Sequence, residues 1–423
     1  MSFVGVFQVE TKKSKQREGK TMSDHAAVSA GWHHLGTILS HAARPERVEE
    51  GSFVTPPITR GSTVVFPSIE SMSRQEQKRY DHATIYGAMG SPIQYELEKV
   101  VAKIEGGTDC QIVSSGLSAC TMPLMAFLNA GDHCLISDNV YGPTRRFAEK
   151  VLKRFGVEIS YFPPMVSAHE LESFFRPHTR CIFVESPGSH TFEVQDIPML
   201  VSVTHQHGAK LLMDNTWGFG IFSPFKHGVD VSIQALTKYP AGHSDLVLGA
   251  ITVANTQDWH RLRDTALQIG QVAGPEECWL TLRGLRTMGI RLAHQSRSAF
   301  EIATWLKQQP EIAAVHHPAL PDCPGHAFWK RDFKGAGCVF SVLLHDRYSV
   351  QEMKHFINAL SLFSIGASWG GYESLVLPTT GEIIRDYPDQ KAMKHAIFRL
   401  QIGLENIQDL KKDLRQALDR LSL

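Results

Sequence analysis

No charge of one sign dominates this chain: 43 lysines and arginines are matched by 43 aspartates and glutamates among 423 residues. Without an overall field, nucleic acid and anionic membranes lose their main attraction, and a small neutral or zwitterionic substrate fits better. Long apolar runs are also missing. The longest candidates, such as residues 247–254, are strand-sized and fall well short of the ~18 residues that span a bilayer. The seven cysteines are odd in number and scattered, with no C-x-x-C and no Cys/His grouping at zinc spacing. That excludes a disulfide-stapled scaffold and leaves buried thiols in a reducing cytoplasm, with no metal site expected. There is no fixed-period repeat, no low-complexity block, and no G-x-G-x-x-G opening a helix after a strand, so solenoids and plain dinucleotide-binding enzymes are disfavoured. The first residues carry Lys12, Lys13, Lys15, Arg17 and Lys20 without a following apolar stretch, so a secretory signal is not expected and residues 1–31 read as a flexible tail.

What is present is an ordinary globular composition, 43% hydrophobic and 20% charged, long enough for two or three domains. Residues 94–105 place Leu97, Val100, Val101 and Ile104 on one face and stop at Gly106-Gly107, a helix with a glycine terminator. Seven short apolar runs follow, at 111–115, 133–137, 158–162, 180–186, 210–215, 231–236 and 249–254, most of them separated by stretches of helical period. Continuous apolar strands alternating with helices predict an α/β layer around a mostly parallel seven-stranded sheet buried on both faces. Beyond about residue 274 the character changes to charged helices at 276–288 and 292–308, a strand at 337–344, and helices near 350–360 and from Asn406. This predicts a large domain over 94–276 and a smaller α+β domain over 277–423, with 32–93 as a separate N-terminal segment.

In an open α/β sheet ligands sit beyond the carboxyl ends of strands, and three such places stand out. Ser114-Ser115-Gly116-Leu117-Ser118 is a small-residue turn into a helix, able to aim free N–H groups at a phosphate; a plain tight turn needs the same residues. Asp214-Asn215-Thr216 puts a carboxylate at the lip of a buried strand, where it wants a cationic partner such as a protonated ring nitrogen, or serves as a helix cap. Thr237-Lys238-Tyr239 pins a lysine between an apolar strand and the Pro240–Ser244 loop, where an amine loses basicity and gains nucleophilicity, or else snorkels. Together an anion cradle, a carboxylate for a pyridinium and an amine for an aldehyde match pyridoxal 5'-phosphate.

The residues around these points resemble the Cys/Met-metabolism family of pyridoxal-phosphate enzymes, and within it the bacterial cystathionine β-lyase branch. The likeness runs through Tyr86-Gly87 to Pro92, Glu105-Gly106-Gly107, Glu185-Ser186-Pro187-Gly188, Asp214 to Trp217, Ser232 to Tyr239, Gly242 to Asp245, Arg283 to Thr287, Ser368 to Leu375 and Arg399 to Glu405. It covers about residues 32–423 in unbroken order. The resemblance implies the aspartate-aminotransferase-like fold type I and a homotetramer made of tight dimers. It also implies a role for each matched residue. Lys238 would bond the cofactor covalently and move the proton. Tyr141 would stack on the pyridine ring, and Asp214 would keep the ring nitrogen protonated. Gly116, Leu117 and Thr237 would hold the phosphate, Arg399 would clamp the substrate carboxylate in a pocket lined by Ser368 and Trp369, and Tyr86 would reach into the neighbouring subunit's site.

Two departures stand out. The family pattern usually carries an arginine two residues after the tyrosine at position 86, where this chain has Ala88; it often has a serine three residues before the lysine, where this chain has Ala235. Both thin the phosphate shell; Arg60 in the same N-terminal segment is either a replacement or merely a solvated or dimer-contact residue. The implied reaction is β-elimination of cystathionine to homocysteine, pyruvate and ammonia in methionine biosynthesis. Trp369-Gly370-Gly371-Tyr372 favours it over γ-synthase or γ-lyase relatives, which tend to have smaller apolar residues there. A cofactor-binding regulatory protein is disfavoured by the intact Lys238, Tyr141 and Arg399.

Overall fold

The computed structural model describes residues 34–46, 48–387 and 396–422. The predicted tail at 1–31 lies outside the described residues. Seven strands build the first sheet: β1 (Asp109–Val113), β2 (His133–Ser137), β3 (Glu158–Phe162), β4 (Thr179–Glu185), β5 (Lys210–Asp214), β6 (Val231–Ala235) and β7 (Gly249–Val253), in the order β1-β7-β6-β5-β4-β2-β3. Neighbours from β6 to β3 pair in parallel, while β7 runs antiparallel to both β1 and β6. The predicted mostly parallel sheet is therefore observed, with strand boundaries shifted by a residue or two. Both faces are covered by helices, and β2 and β7 are buried throughout, their few polar residues included.

A second, five-stranded sheet is formed by β8 (Ile312–His316), β9 (Val339–Leu344), β10 (Ser364–Ile365), β11 (Leu375–Pro378) and β12 (Ile397–Gln401), in the order β10-β11-β12-β9-β8. The sequence reading anticipated only the strand around 337–344. The helices predicted at 276–288 and 292–308 are one continuous helix, Pro275–Leu306. Gly289 lies inside it, and a mid-helix glycine costs only about 1 kcal/mol. The stripe of Cys278, Leu282, Leu285, Met288, Leu292, Ala299 and Ile302 is buried along the whole length and carries the helix through. All seven cysteines are buried and unpaired. Among the described residues no helix is long and apolar enough to cross a membrane.

Every strand of the large sheet except β7 points the same way, so the carboxyl ends of β1, β2, β4, β5 and β6 share one edge. Gly116 follows β1, Tyr141 follows β2, Asp214 ends β5, and Lys238 lies three residues beyond β6. The topology alone gathers four residues far apart in sequence.

Candidate active site

Lys238 sits in the turn after β6, its Nζ 2.7 Å from Ser368 Oγ and 5.3 Å from the centre of the Trp369 ring. Burial, and then the positive charge of Arg399, lower its amine from 10.5 to about 8, against the pull of Asp214. The turn is fixed from behind by Arg291, whose Nη2 donates to the Tyr239 carbonyl at 3.0 Å and to the Gly284 carbonyl at 2.7 Å.

Arg399 lies in the middle of β12, 9% exposed, and its Nη2 donates to the Ser368 carbonyl at 2.9 Å. No carboxylate pairs with it in this chain among the described residues. Burial lowers its guanidinium to about 10, so it remains a cation at neutral pH. A buried cation without an acid is costly, and an incoming carboxylate is the natural remedy. Ser368 therefore touches the amine with its hydroxyl and the guanidinium with its carbonyl. It adopts φ +76°, a left-handed conformation that a non-glycine residue holds only when its surroundings enforce it. At Gly370, φ is +87°, and an added Cβ would lie 2.9 Å from the Tyr239 nitrogen and 3.0 Å from the Lys238 carbonyl carbon. Only glycine lets this loop lie against the lysine. Trp369 packs edge-on against Tyr239 at 5.1 Å between ring centres.

Asp214 is buried and accepts only from neutral donors: the Thr216 N–H at 3.0 Å, the Thr216 hydroxyl at 2.6 Å and the Cys120 thiol at 3.5 Å. Burial raises its pKa. Beside it in register stands Glu185, also raised by burial and by the Asp214 charge, whose Oε2 accepts the Tyr141 N–H at 2.6 Å. A buried and a partly buried carboxyl, neither hydrogen-bonded to a cation, suit a protonated ring nitrogen. In the sequence Glu185 stands only within the Glu185-Ser186-Pro187-Gly188 motif, and its grip on the Tyr141 N–H leaves no spacing to read. Tyr141 itself stays half-exposed at the same edge, with its phenol raised mainly by burial.

The helix Gly116–Phe127 starts with Ser115 as its cap, so the Gly116 and Leu117 N–H groups precede any intrahelical acceptor. A Cβ on Gly116 would stand 2.6 Å from the Ala235 Cβ, so β6 and the helix start meet closely here, and Ala235 is a packing surface. The Thr237 hydroxyl bonds both ways with Leu248, donating to its carbonyl at 3.1 Å and accepting from its N–H at 3.0 Å. Its single proton is thus committed within the fold. Arg60 pairs with Glu276 of its own chain, and Tyr86, 50% exposed, belongs to the N-terminal segment through a bridge to Thr63.

A depressed amine, a buried aspartate beside a partly buried glutamate, and free helix-start N–H groups lie along one sheet edge. Residues 36–419 match the model of the Cys/Met metabolism PLP-dependent enzyme family, and the chain belongs to that family. The cystathionine beta-lyase of Bordetella avium is 42% identical over 393 residues, covering 92% of this chain and 98% of that protein. Cystathionine beta-lyase MetC of Escherichia coli (strain K12) is 38% identical over 392 residues, again 92% of this chain and 98% of that protein. Among solved structures, cystathionine gamma synthase from Xanthomonas oryzae pv. oryzae in complex with aminoacrylate and cysteine superposes with TM-score 0.84 at 28% identity, covering 92% of this chain and 99% of that one. The fold is the aspartate-aminotransferase-like fold type I, and the cofactor is pyridoxal 5'-phosphate.

Proposed function

We propose that this protein carries out β-elimination of cystathionine, giving homocysteine, pyruvate and ammonia for methionine biosynthesis. We place it in the cytoplasm, as a homotetramer built from two tight dimers. The observation that carries the reading is the Ser368 bridge, which sets a depressed amine beside a buried guanidinium that lacks an acid. The names of the two lyase relatives support the substrate.

The cofactor, when bound, supplies an electron sink for the pair left at Cα, so that a thiolate can leave from Cβ. Lys238 Nζ takes the Cα proton, and an amine near 8 is basic enough to do so while remaining partly neutral. Arg399 grips the α-carboxylate with the guanidinium edge that Ser368 does not occupy. Asp214, with Glu185 beside it in register, would keep the ring nitrogen protonated, and Tyr141, anchored through its own N–H, would stack on the ring. The Gly116 and Leu117 N–H groups would hold the phosphate. Thr237 joins them only by releasing the Leu248 carbonyl. Tyr86 acts in the site of the neighbouring subunit. Trp369, its ring 5.3 Å from Lys238 Nζ, heads the Trp369-Gly370-Gly371-Tyr372 stretch that favours β- over γ-chemistry.

Incubating purified protein with cystathionine and identifying the oxo acid tests this directly. Pyruvate with homocysteine is expected. Release of 2-oxobutyrate with cysteine would instead assign γ-lyase chemistry to the same scaffold.

A further inference from the structure

The helix Thr256–Gln268 buries a charged cluster that the Lys238 site does not use. Arg263 is 1% exposed, and Glu98, on the helix Pro92–Glu105, is buried completely. The guanidinium stands between the rings of Tyr95 and Trp259, at 5.8 and 5.5 Å. Glu98 Oε1 lies 3.8 Å from Arg263 Nη1, so the two charges compensate each other without a direct hydrogen bond. Glu98 accepts instead from the Gln94 amide at 2.9 Å and the Ile112 N–H at 3.1 Å, and faces His82 Nε2 at 3.0 Å. Arg263 spends its own donors on Gln111 Oε1, at 2.8 Å, and on the backbone carbonyl of Met89.

Met89 closes the short turn Gly87–Met89 that immediately follows Tyr86. The Tyr95 hydroxyl reaches the same carbonyl at 3.4 Å and that of Ala83 at 3.1 Å. Upstream, Trp259 Nε1 donates to the Tyr80 carbonyl at 3.2 Å, and the Tyr80 hydroxyl meets Asp264 at 2.8 Å. One helix therefore grips the segment 80–89 at both ends, while Tyr86 between them stays exposed. Buried ion pairs contribute little net stability and are often replaceable by apolar residues. Their use here is geometric: a forked guanidinium fixes one carbonyl in a segment that carries no strand or long helix of its own.

We propose that Arg263, with Glu98 as its counter-charge, is a positioning residue that sets the Gly87–Met89 turn and so aims Tyr86 into the site of a second copy of the chain. This rests on the reading above that Tyr86 acts across subunits. An Arg263 variant is then defective in the neighbour's site and leaves its own intact.

Complementation separates the possibilities. The double variant Arg263→Met with Glu98→Gln, which removes both buried charges, is co-expressed with Lys238→Ala under two affinity tags, and the mixed oligomer is purified through both. Each chain alone should be at least tenfold down in kcat/KM, while the double variant keeps the visible absorption of its Lys238-bound cofactor. In the mixture, a site that pairs the variant's Lys238 with the Tyr86 of the Lys238→Ala chain is complete, and random pairing makes about a quarter of all sites so. Recovery to about that level supports the proposal. Tyr86→Phe mixed with Lys238→Ala is the control. If the control recovers and the Arg263 mixture does not, Arg263 acts only within its own chain and the proposal falls. If neither recovers, Tyr86 does not act across subunits and the proposal falls with that premise. Should the double variant fail to fold, Arg263→Lys, which keeps the charge but reaches a single acceptor, takes its place with the same outcomes.

Discussion

Replacing Arg399 by lysine keeps a cation in a buried place while removing the fork. In the structure Nη2 is spent on the Ser368 carbonyl at 2.9 Å, leaving the opposite guanidinium edge for a carboxylate. An ammonium has one nitrogen for both tasks: it must abandon Ser368 or bind the carboxylate through a single point. One charge-assisted hydrogen bond is worth about 1.5–3 kcal/mol. At about 1.36 kcal/mol per decade, that is a loss of about ten- to a hundred-and-fifty-fold in kcat/KM. Because the carboxylate is common to every amino-acid substrate, the loss should be the same for cystathionine and for shorter cysteine conjugates. The assay is steady-state kinetics on two substrates of different length with the purified variant. Wild-type kinetics would place the carboxylate contact elsewhere, and a loss confined to cystathionine would mean that Arg399 reads the distal arm.

Lys238→Ala should abolish both turnover and the visible absorption of the covalently bound cofactor; retention of either, checked by spectrum and pyruvate assay, would remove Lys238 from its role. Gly370→Ala should cost at least about 1–2 kcal/mol from the left-handed backbone alone, and more from the 2.9 Å approach to Tyr239 N, seen as a lower Tm together with reduced kcat. Glu105 is buried, accepts from Ser232, Asn215 and Gln234, and is raised by burial from 4.5 to about 7. The folded state therefore holds a proton that the unfolded state has lost, so this group's contribution falls by about 3 kcal/mol as pH rises from 4.5 to 7 and is flat above. Across that range the wild type should lose about 3 kcal/mol more than Glu105→Gln in denaturant unfolding, and equal slopes would refute the assignment. Arg60→Ala should leave cofactor retention on dialysis unchanged, since that guanidinium is committed to Glu276, whereas Ala88→Arg should tighten it by about tenfold if the turn presents a new phosphate contact.

The large sheet was legible because its strands are buried on both faces and leave continuous apolar runs, and because each turn after a strand carried its chemistry in small or charged residues. The second sheet was not. β11 and β12 contain Pro378, Arg399 and Gln401, so their period is broken by the residues they exist to present. The two helices expected at 276–288 and 292–308 are one packed helix of thirty-two residues, whose buried stripe runs through the gap. Glu185 and Arg263 act through backbone groups of Tyr141 and Met89. A side chain that works on a distant carbonyl or N–H leaves no spacing to read, because its partner can be any residue type.

The two cations of the site come from different sheets: Lys238 from the turn after β6, and Arg399 from the middle strand region of the five-stranded sheet. Their meeting depends on the loop of Ser368 and Gly370, both at positive φ, lying against the lysine backbone. Placing two like charges together in a buried site is unfavourable, and it registers as an amine held down at about 8, with burial first and Arg399 second among the causes. A carboxylate seated on Arg399 cancels the second cause and leaves the first. In the proposed reaction the amine therefore becomes the stronger base when the substrate's carboxylate is in place, which is when the Cα proton must be taken. Without that carboxylate it stays the weaker base. In the proposed reaction, binding and proton transfer are thereby coupled through one serine and one charge.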